Sequence, residues 1–325
     1  QESRGLGDVY KRQEMVRNCE IVGWGTSLPS RVVRFGEETR YRIDDDVSHL
    51  DMLAEACERA LAHADITADD VDLVLGASAA GIQPIPCTAA LVLERLTLTG
   101  HAAAFDVNST CTSFITALDI ASRYLDAGDH ETILVFAGDV GTRFLNPEQR
   151  ESFELFSDAG AAVVLRRSAD GDRGVIASAQ RTWPAYAHDT EIRGGLSGSP
   201  AQAYAAGDSA DYLFDMNGRR ALLGMMRVLP EFFEAFHRGS GIAHDDVALW
   251  VPHQASAALG PMLDRLGIPA DRRIDEVRDF GNMVSSSVPF MLARSLESGR
   301  VGAGDTVILC GTAAGLTANI LALRL

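Results

Sequence analysis

The sequence predicts an α/β fold made of two similar halves, and two observations lead to that prediction. Short apolar runs of strand length alternate with longer segments whose apolar residues have helical spacing, which is the pattern of an α/β protein. The second observation is an internal repeat. Residues 69–75 compare with 245–251, and 129–135 with 305–309. The offset is roughly 176 residues in both pairs, as expected for two copies of one unit.

The chain divides into elements as follows, with strands that we expect to be largely parallel. The predicted strands are 20–25, 71–78, 102–108, 131–139 and 160–166, then 175–180, 247–252, 274–278, 306–310 and 318–324. The predicted helices are 50–64, 88–96, 112–127, 217–237, 257–266 and 286–298. Residues 183–211, rich in Gly, Ala, Ser and Tyr, are predicted to form an irregular insertion. We place the two halves at 15–172 and 173–325.

The composition of the chain excludes several classes of protein. The chain has 325 residues, 46% of them hydrophobic, which is enough for a large core. A net charge of -16 disfavours nucleic-acid binding. We find no apolar stretch near the ~20 residues of a membrane helix, and no signal peptide. The five cysteines are odd in number and lack CxxC spacing. They predict neither a metal site nor a disulfide framework, and favour the cytoplasm.

Lysine is confined to one position, Lys11; every other basic side chain apart from histidine is arginine. Lys11 lies in residues 1–14, which have no periodic pattern and precede Met15. We interpret these residues as an extension foreign to the fold; a native but disordered N-terminus is the alternative. The remaining sequence therefore excludes Schiff-base chemistry on a lysine.

Cys111 is the first candidate for catalysis. The segment 104–111 passes from a strand through a tight turn into the predicted helix 112–127. A helix N-terminus favours negative charge through its free backbone amides. We therefore expect a lowered thiol pKa and a nucleophilic cysteine. A small buried structural cysteine is the alternative.

His253 and Asn282 are the candidates in the second half. His253 follows an apolar strand, at the strand end where α/β sheets place their sites. Asn282 lies between a strand and the next helix, in a position that resembles that of Cys111 in the first half. A hydrogen-bonded core histidine and an ordinary Gly-Asn turn are the alternatives.

Together these residues resemble the ketoacyl synthase III branch of the thiolase-like condensing enzymes, from about residue 20 to 325. The motifs, specific in their order and spacing, are 104–114 (AFDVNSTCTSF), 156–164 (FSDAGAAVV), 216–218 (MNG), 251–255 (VPHQA), 281–289 (GNMVSSSVP) and 315–317 (GLT). The resemblance implies a thiolase-like fold, with duplicated α/β halves that form a layered α-β-α-β-α sandwich. It also implies a homodimer.

The resemblance assigns roles to the three candidates. Cys111 would take an acyl group from a thioester. His253 and Asn282 would stabilise the enolate formed when a malonyl-type thioester loses carbon dioxide. That carbanion would attack acyl-Cys111 and give a 3-oxoacyl product. Backbone N–H groups of Cys111 and Ala314 would form the oxyanion hole. No metal or cofactor is implied beyond coenzyme A thioesters as substrates.

The resemblance also implies a set of substrate-binding positions. Phe114 would pack near the nucleophile, and Ile85 stands at the family's aromatic gate, where a smaller side chain suggests a more open acyl channel. Arg150 matches a residue that stacks on adenine. The matched motifs add Gly218 and Gly315 to the substrate-binding set, and Ser256, directly after the motif 251–255, is its last member.

Departures from the family pattern argue for a specialised role in fatty acid or polyketide metabolism. About 20 residues that help to clamp coenzyme A are missing near residue 33, a deletion that a surface loop tolerates. Ser256 and Ala258 replace an asparagine and an arginine that docks the carrier protein. A chain of charge -16 without that arginine is poorly suited to an acidic acyl carrier protein. The sequence leaves open whether the donor is CoA-bound or carrier-bound.

Three other functions fit the same sequence. The first is transfer of the acyl group to an alcohol or amine, with His253 as general base. The second is non-decarboxylative joining of two acyl-CoA molecules. The third is a non-catalytic partner subunit, which we would expect to lack the cysteine.

Overall fold

A computed structural model describes residues 16–96, 100–205 and 207–325. The predicted extension 1–14, with Lys11 and Met15, lies outside these residues. The strands are β1 (Arg17–Asn18), β2 (Glu20–Ser27), β3 (Arg31–Phe35), β4 (Glu38–Arg42), β5 (Leu73–Gly76), β6 (Ala103–Asp106), β7 (Thr132–Asp139), β8 (Ala159–Arg166), β9 (Gly174–Thr182), β10 (Thr190–Glu191), β11 (Asp215–Met216), β12 (Leu249–Pro252), β13 (Thr306–Ala313) and β14 (Thr317–Arg324).

The α-helices of the described residues lie at the predicted positions, except for two four-residue helices that were not predicted. They are α1 (His49–His63), α2 (Thr88–Arg95), α3 (Ser113–Ala127), α4 (Arg150–Phe153), α5 (Gly218–Ser240), α6 (Leu259–Arg265), α7 (Val277–Phe280) and α8 (Ser287–Glu297). Single 3-10 turns precede α3 and α8, at Thr110–Thr112 and Val284–Ser286.

Two five-stranded sheets organise the chain. The first has the order β2-β8-β7-β5-β6 and the second β1-β9-β14-β13-β12. The predicted boundary between residues 172 and 173 lies in the turn between β8 and β9. Strand β1 departs from the predicted division, because it comes from the first half and pairs with β9.

The expectation of largely parallel strands is wrong. Only β5–β6, β5–β7 and β12–β13 are parallel among the ladders of the described residues, and the other pairings are antiparallel. The reason is clear at β13 and β14. Three residues connect them, and a connection that short can only join antiparallel neighbours.

Five layers result from the alternation of side chains along the strands. In the first sheet Leu73 and Leu75 face the middle of the molecule, and Val74 faces α1 and α2. In the second sheet Leu249 and Val251 face the middle, while Trp250 packs in the outer apolar cluster that includes Phe232 and Phe236 of α5. Helices α3 and α8 fill the middle layer. The predicted α-β-α-β-α sandwich is confirmed.

The two halves also repeat in detail. Strand β12 lies 176 positions after β5, starting at Leu249 and Leu73. Thr110 and Val284, 174 positions apart, both have a positive φ, of 52° and 51°. Each precedes the helix that fills the middle layer.

Two parts of the chain differ from the prediction. The predicted strand 274–278 is wrong: Arg273 makes a single bridge to Trp250, and the chain then turns into α7. The side-chain oxygen of Gln254 accepts a hydrogen bond from the backbone N–H of Glu276, so this N–H is not available for pairing with a neighbouring strand. The β3–β4 hairpin was not predicted, because Val32 and Val33 are adjacent in β3 and β4 has no aliphatic residue, so neither strand shows an apolar alternation.

Candidate active site

Cys111 lies on a sharp turn between β6 and α3. Thr110, just before it, has φ 52°, which a non-glycine residue adopts only where its surroundings hold it. The side chain of Asn108 supplies that support, since its oxygen accepts the N–H of Thr110 at 2.8 Å. The cysteine therefore stands at the entry to the helix, as predicted, with α3 itself beginning at Ser113.

Burial dominates the chemistry of the Cys111 thiol. Loss of solvent, followed by the negative charge of Asp139, raises the pKa of Cys111 to about 12. Hydrogen bonds from the N–H groups of Cys111 and Ala314 act in the opposite direction. The expectation of a lowered pKa is therefore wrong, because burial of the sulfur outweighs the two hydrogen bonds from backbone amides. Both N–H groups predicted for the oxyanion hole lie at the sulfur.

His253 follows β12 and is 3% exposed. Its N–H donates to the carbonyl of Cys310 at 2.8 Å, which ties it to β13. Burial lowers the pKa of His253 to about 4, so the imidazole is neutral near pH 7. Its Nδ1 has no hydrogen-bond partner among the described residues. A buried polar nitrogen of this kind is available to a substrate.

At Gly311, the segment that carries His253 packs against the turn that carries Cys111. A Cβ at this glycine would lie 2.7 Å from Cβ of His253 and 3.4 Å from Cγ2 of Thr112, the residue after Cys111. A larger residue would push the two segments apart. The two halves of the site therefore meet because position 311 carries no side chain.

Asn282 is buried and fixed at both ends of its amide. Its Nδ2 donates to the carbonyl of Ala255 at 3.0 Å, and its Oδ1 accepts the N–H of Val284 at 2.8 Å. The first bond attaches Asn282 to the loop after His253. One Nδ2 hydrogen remains for a ligand, since an amide nitrogen carries two.

Asn282 does not correspond to Cys111 in the repeat, contrary to the sequence interpretation. The turn at Val284 matches the turn at Thr110, so the counterpart of Cys111 is Ser285. Asn282 corresponds to Asn108, which makes the same bond to the residue two positions on. The repeat was identified correctly, but its register at this turn was not.

Asp139 is a site residue that the sequence reasoning missed. It ends the buried strand β7 and is 1% exposed. Its carboxylate accepts the N–H and the hydroxyl of Ser285 and the N–H of Ala80. The signal was present in the sequence, as a carboxylate that ends an otherwise apolar strand. It joins the two halves directly behind the nucleophile.

The remaining predicted residues lie in several separate parts of the chain. Phe114 is fully buried in α3 beside the nucleophile turn, and Gly315, with φ 115°, forms the β13–β14 turn next to Ala314. Ser256 lies three residues after His253, where its hydroxyl accepts the N–H of Ala258 at 3.2 Å. Ile85 is 85% exposed in the loop before α2, so one chain alone does not bring it into the site.

Arg150 and Gly218 lie together at the start of two helices. Arg150 opens α4, and its exposed side chain pairs with Glu154 at 2.7 Å. Gly218 opens α5, where a Cβ would lie 2.7 Å from a carboxylate oxygen of Glu151.

No helix of the described residues is long and apolar enough to cross a membrane.

Comparisons with known proteins identify the family of the chain. Residues 105–184 match the family model of 3-oxoacyl-[acyl-carrier-protein] synthase III, and residues 238–325 match its C-terminal model. The chain is 31% identical to β-ketoacyl-[acyl-carrier-protein] synthase III 3 of Streptomyces coelicolor, over 95% of this chain and 98% of that protein. It is 29% identical to the synthase III of Staphylococcus aureus, over 94% and 99%.

Solved structures show the same fold. The 3-oxoacyl-(acyl carrier protein) synthase III of Pseudomonas aeruginosa is 27% identical, with a TM-score of 0.82 over 94% of this chain and 98% of that one. The priming β-ketosynthase of the R1128 polyketide pathway is 24% identical, with a TM-score of 0.86 over 97% and 98%, and it supports the fold alone. The chain therefore belongs to the 3-oxoacyl-[acyl-carrier-protein] synthase III family, and it is an acyltransferase of the thiolase-like fold.

Proposed function

We propose that Cys111, His253 and Asn282 carry out the family's decarboxylative Claisen condensation, joining an acyl thioester to a malonyl-type thioester. The observation that carries this assignment is the environment of the Cys111 sulfur. The N–H groups of Cys111 and Ala314 reach it from the two halves of the molecule. Neutral His253 and Asn282, whose Nδ2 uses one of its two hydrogens in the bond to Ala255, lie where the two halves of the molecule meet.

In the first step, Cys111 attacks the carbonyl carbon of the acyl thioester. The N–H groups of Cys111 and Ala314 stabilise the oxyanion. The carrier thiolate leaves and takes up the proton that the Cys111 thiol gives up. Because the pKa of Cys111 is about 12 in the free site, deprotonation accompanies the attack and does not precede it.

In the second step, His253 and Asn282 donate hydrogen bonds to the carbonyl oxygen of the malonyl-type thioester. Carbon dioxide leaves, and its bonding electrons form an enolate that these donors stabilise. The enolate carbon attacks the acyl-Cys111 carbonyl, and the Cys111 sulfur leaves as a thiolate that takes up a proton from solvent. A neutral imidazole can fill this role, because it carries one ring N–H that donates a hydrogen bond.

The proposal also covers the oligomeric state, the cellular location and the metabolic role of the enzyme. A second copy of the chain would pair along β6, an edge strand whose described ladder partner is β5. The exposed apolar side chain of Ile85 would then face that copy. Thioester substrates supply the energy, so no metal or redox cofactor is required. A cytoplasmic location and a specialised fatty acid or polyketide role remain predictions, as does the choice between CoA and a carrier protein.

Separating the two half-reactions tests these roles. Cys111→Ala is expected to abolish acylation and product formation. His253→Ala is expected to keep Cys111 acylation but to lower malonyl decarboxylation at least 100-fold, the size of effect seen when an oxyanion donor is removed. Released carbon dioxide and enzyme-bound acyl group are measured in parallel. His188→Ala is the matched control, because that histidine side chain is 87% exposed. Product formation by Cys111→Ala would overturn the proposal.

A further inference from the structure

A chain of hydrogen bonds runs from strand β14 to the turn that carries Cys111. The Nδ2 of Asn319 donates to Oγ1 of Thr116 in α3 at 2.8 Å. Oγ1 of Thr116 is in turn hydrogen-bonded to Oγ of Ser109 at 2.7 Å. The hydroxyl of Thr112 donates to the backbone carbonyl of Ser109 at 3.0 Å. We call these four side chains the polar chain.

Asn319 is an unusual residue for its place in the fold. It is 4% exposed, and it lies on the face of β14 whose later members, Leu321 and Leu323, belong to the apolar core of the middle layer. Burying an amide among apolar side chains costs free energy unless the amide is hydrogen-bonded. The bond from Asn319 to Thr116 offsets that cost. It joins the two halves of the molecule through residues 203 positions apart.

The two ends of the polar chain lie beside the two N–H groups assigned to the oxyanion hole. Asn319 pairs with Gly311 across the β13–β14 ladder, and the turn of that hairpin carries Ala314. The other end of the polar chain lies in the turn that carries Cys111. The N–H groups of Ala314 and Cys111 both reach the Cys111 sulfur. Because they come from different halves, their relative position depends on how the halves are joined here.

The turn before Cys111 also has bonds of its own. The N–H of Ser109 donates to Oγ of Ser113 at 2.9 Å, and the hydroxyl of Ser113 donates to the carbonyl of Thr110 at 2.7 Å. These bonds hold the positive φ of Thr110, but they stay within the first half. The polar chain, in contrast, ties the turn to the second half. Hydrogen bonds are directional, so this tie fixes a position more narrowly than the apolar contact at Gly311 does.

We propose that Asn319 is a positioning residue for the acylation step, acting through Thr116 to keep the N–H groups of Cys111 and Ala314 directed at one oxyanion. The inference rests on the proposed function, in which these two groups stabilise the oxyanion. Such stabilisation requires donors placed in advance where the charge develops. Loss of the polar chain should therefore slow acylation and leave binding of the acyl-CoA almost unchanged.

The rate of Cys111 acylation tests the inference. The acyl-CoA that loads the unmodified protein fastest is chosen from the series between acetyl-CoA and octanoyl-CoA, and loading is followed by rapid quenching and intact-protein mass spectrometry. Asn319→Leu and Thr116→Val remove the amide and the hydroxyl with little change in size. Each should lower the maximal rate roughly tenfold or more, since a displacement of about 1 Å can cost about 100-fold. The acyl-CoA concentration that gives half the maximal rate should stay within about twofold, because the lost bonds do not touch the substrate.

Three further measurements separate positioning from a general structural effect. Thr116→Ser keeps the hydroxyl and should retain most of the rate. The double variant Asn319→Leu/Thr116→Val should be no slower than the slower single variant, because both substitutions break the same chain. Alkylation by iodoacetamide forms no oxyanion, so the ratio of acylation rate to alkylation rate should fall in both single variants. Ser122→Ala is the control: its hydroxyl is buried in the same helix but bonds only the carbonyl of Asp119, at 2.8 Å.

The other outcomes overturn the inference. Acylation at the unmodified rate in folded Thr116→Val would show that the polar chain positions nothing. An equal fall in acylation and alkylation would mean a merely structural role, and a loss in Thr116→Ser as large as in Thr116→Val would assign the effect to packing. The Thr116 pair decides the question even if Asn319→Leu fails to fold. Unmodified protein that takes no acyl group from any member of the series would instead reject the proposed function.

Discussion

At the scale of single residues, Cys111, the proposed nucleophile, is a thiol at neutral pH. Burial and Asp139 raise the pKa of Cys111 to about 12, although the thiol stands at a helix entry. Burial of His253 lowers its pKa to about 4. The site therefore holds an uncharged pair at neutral pH, and charge develops only during reaction. Both groups are therefore uncharged before a substrate binds and excludes water from the site.

The pH dependence of alkylation tests this state. We expect iodoacetamide to react with Cys111 slowly at pH 7, with a rate that rises about tenfold per pH unit up to pH 10, because the thiolate is the nucleophile. Asp139→Asn should increase the rate at pH 8 by removing the negative charge. Peptide mass spectrometry identifies the modified cysteine, with Cys111→Ala as control. A rate that reaches a plateau near pH 7 would mean that the free enzyme stores a thiolate.

The pKa shifts of His253 and Cys111 also make the free energy of unfolding depend on pH. The folded pKa of His253 lies below its ordinary value of 6.5, so its contribution is complete above about pH 6.5 and is lost as pH falls towards 4. The folded pKa of Cys111 lies above its ordinary value of 9.0, so its contribution is complete below pH 9 and is lost as pH rises towards 12. Both sites favour folding between about pH 6.5 and 9.

At the scale of elements, a buried arginine fixes the short β3–β4 hairpin. Arg40 is 1% exposed, and its guanidinium donates to the backbone carbonyls of Glu154 at 2.8 Å, Val277 at 3.2 Å and Arg278 at 3.1 Å. It also pairs with Glu38 in the same hairpin. One side chain thus joins β4 to α7 and to the end of α4.

Removing that arginine is expected to destabilise the fold. Arg40→Met removes a donor from four backbone carbonyls, those named above and that of Thr39, and we expect a loss of about 3 kcal/mol in the free energy of unfolding. Urea denaturation measures the loss. Arg31→Met in the same hairpin is the control, since its exposed ion pair with Asp44 spans 3.7 Å and should contribute under about 1 kcal/mol. Equal stability of the two variants would contradict the anchoring role.

The elements that the sequence predicted correctly are those with a clear apolar period. Strand β7 reads as an unbroken buried run, and α1 carries its apolar residues at helical spacing. The hairpin escaped prediction because Val32 and Val33 are adjacent in β3 and β4 has no aliphatic residue, so neither strand shows an apolar alternation. The false strand at 274–278 has a different origin. Its backbone is turned by the distant side chain of Gln254, which no local pattern records.

At the scale of the whole molecule, the site exists because two copies of one unit meet. Cys111 comes from the first half, and His253, Asn282 and Ala314 come from the second. The sequence predicted this sharing from the repeat and from short motifs. It could not predict the contact between Asp139 and Ser285, which joins residues 146 positions apart. Nor could it predict the thiol pKa, which depends on burial that only the assembled sheets create.

The central claim is that Cys111 carries an acyl group which a malonyl-type thioester removes by condensation. Intact-protein mass spectrometry with a panel of acyl-CoAs, with and without malonyl-CoA, tests it directly beside Cys111→Ala. We predict a mass gain that requires Cys111 and disappears with malonyl-CoA, leaving a 3-oxoacyl thioester. An acyl adduct that survives every malonyl-type thioester would contradict the account and favour transfer to an alcohol or amine. An adduct on Cys111→Ala would contradict it outright.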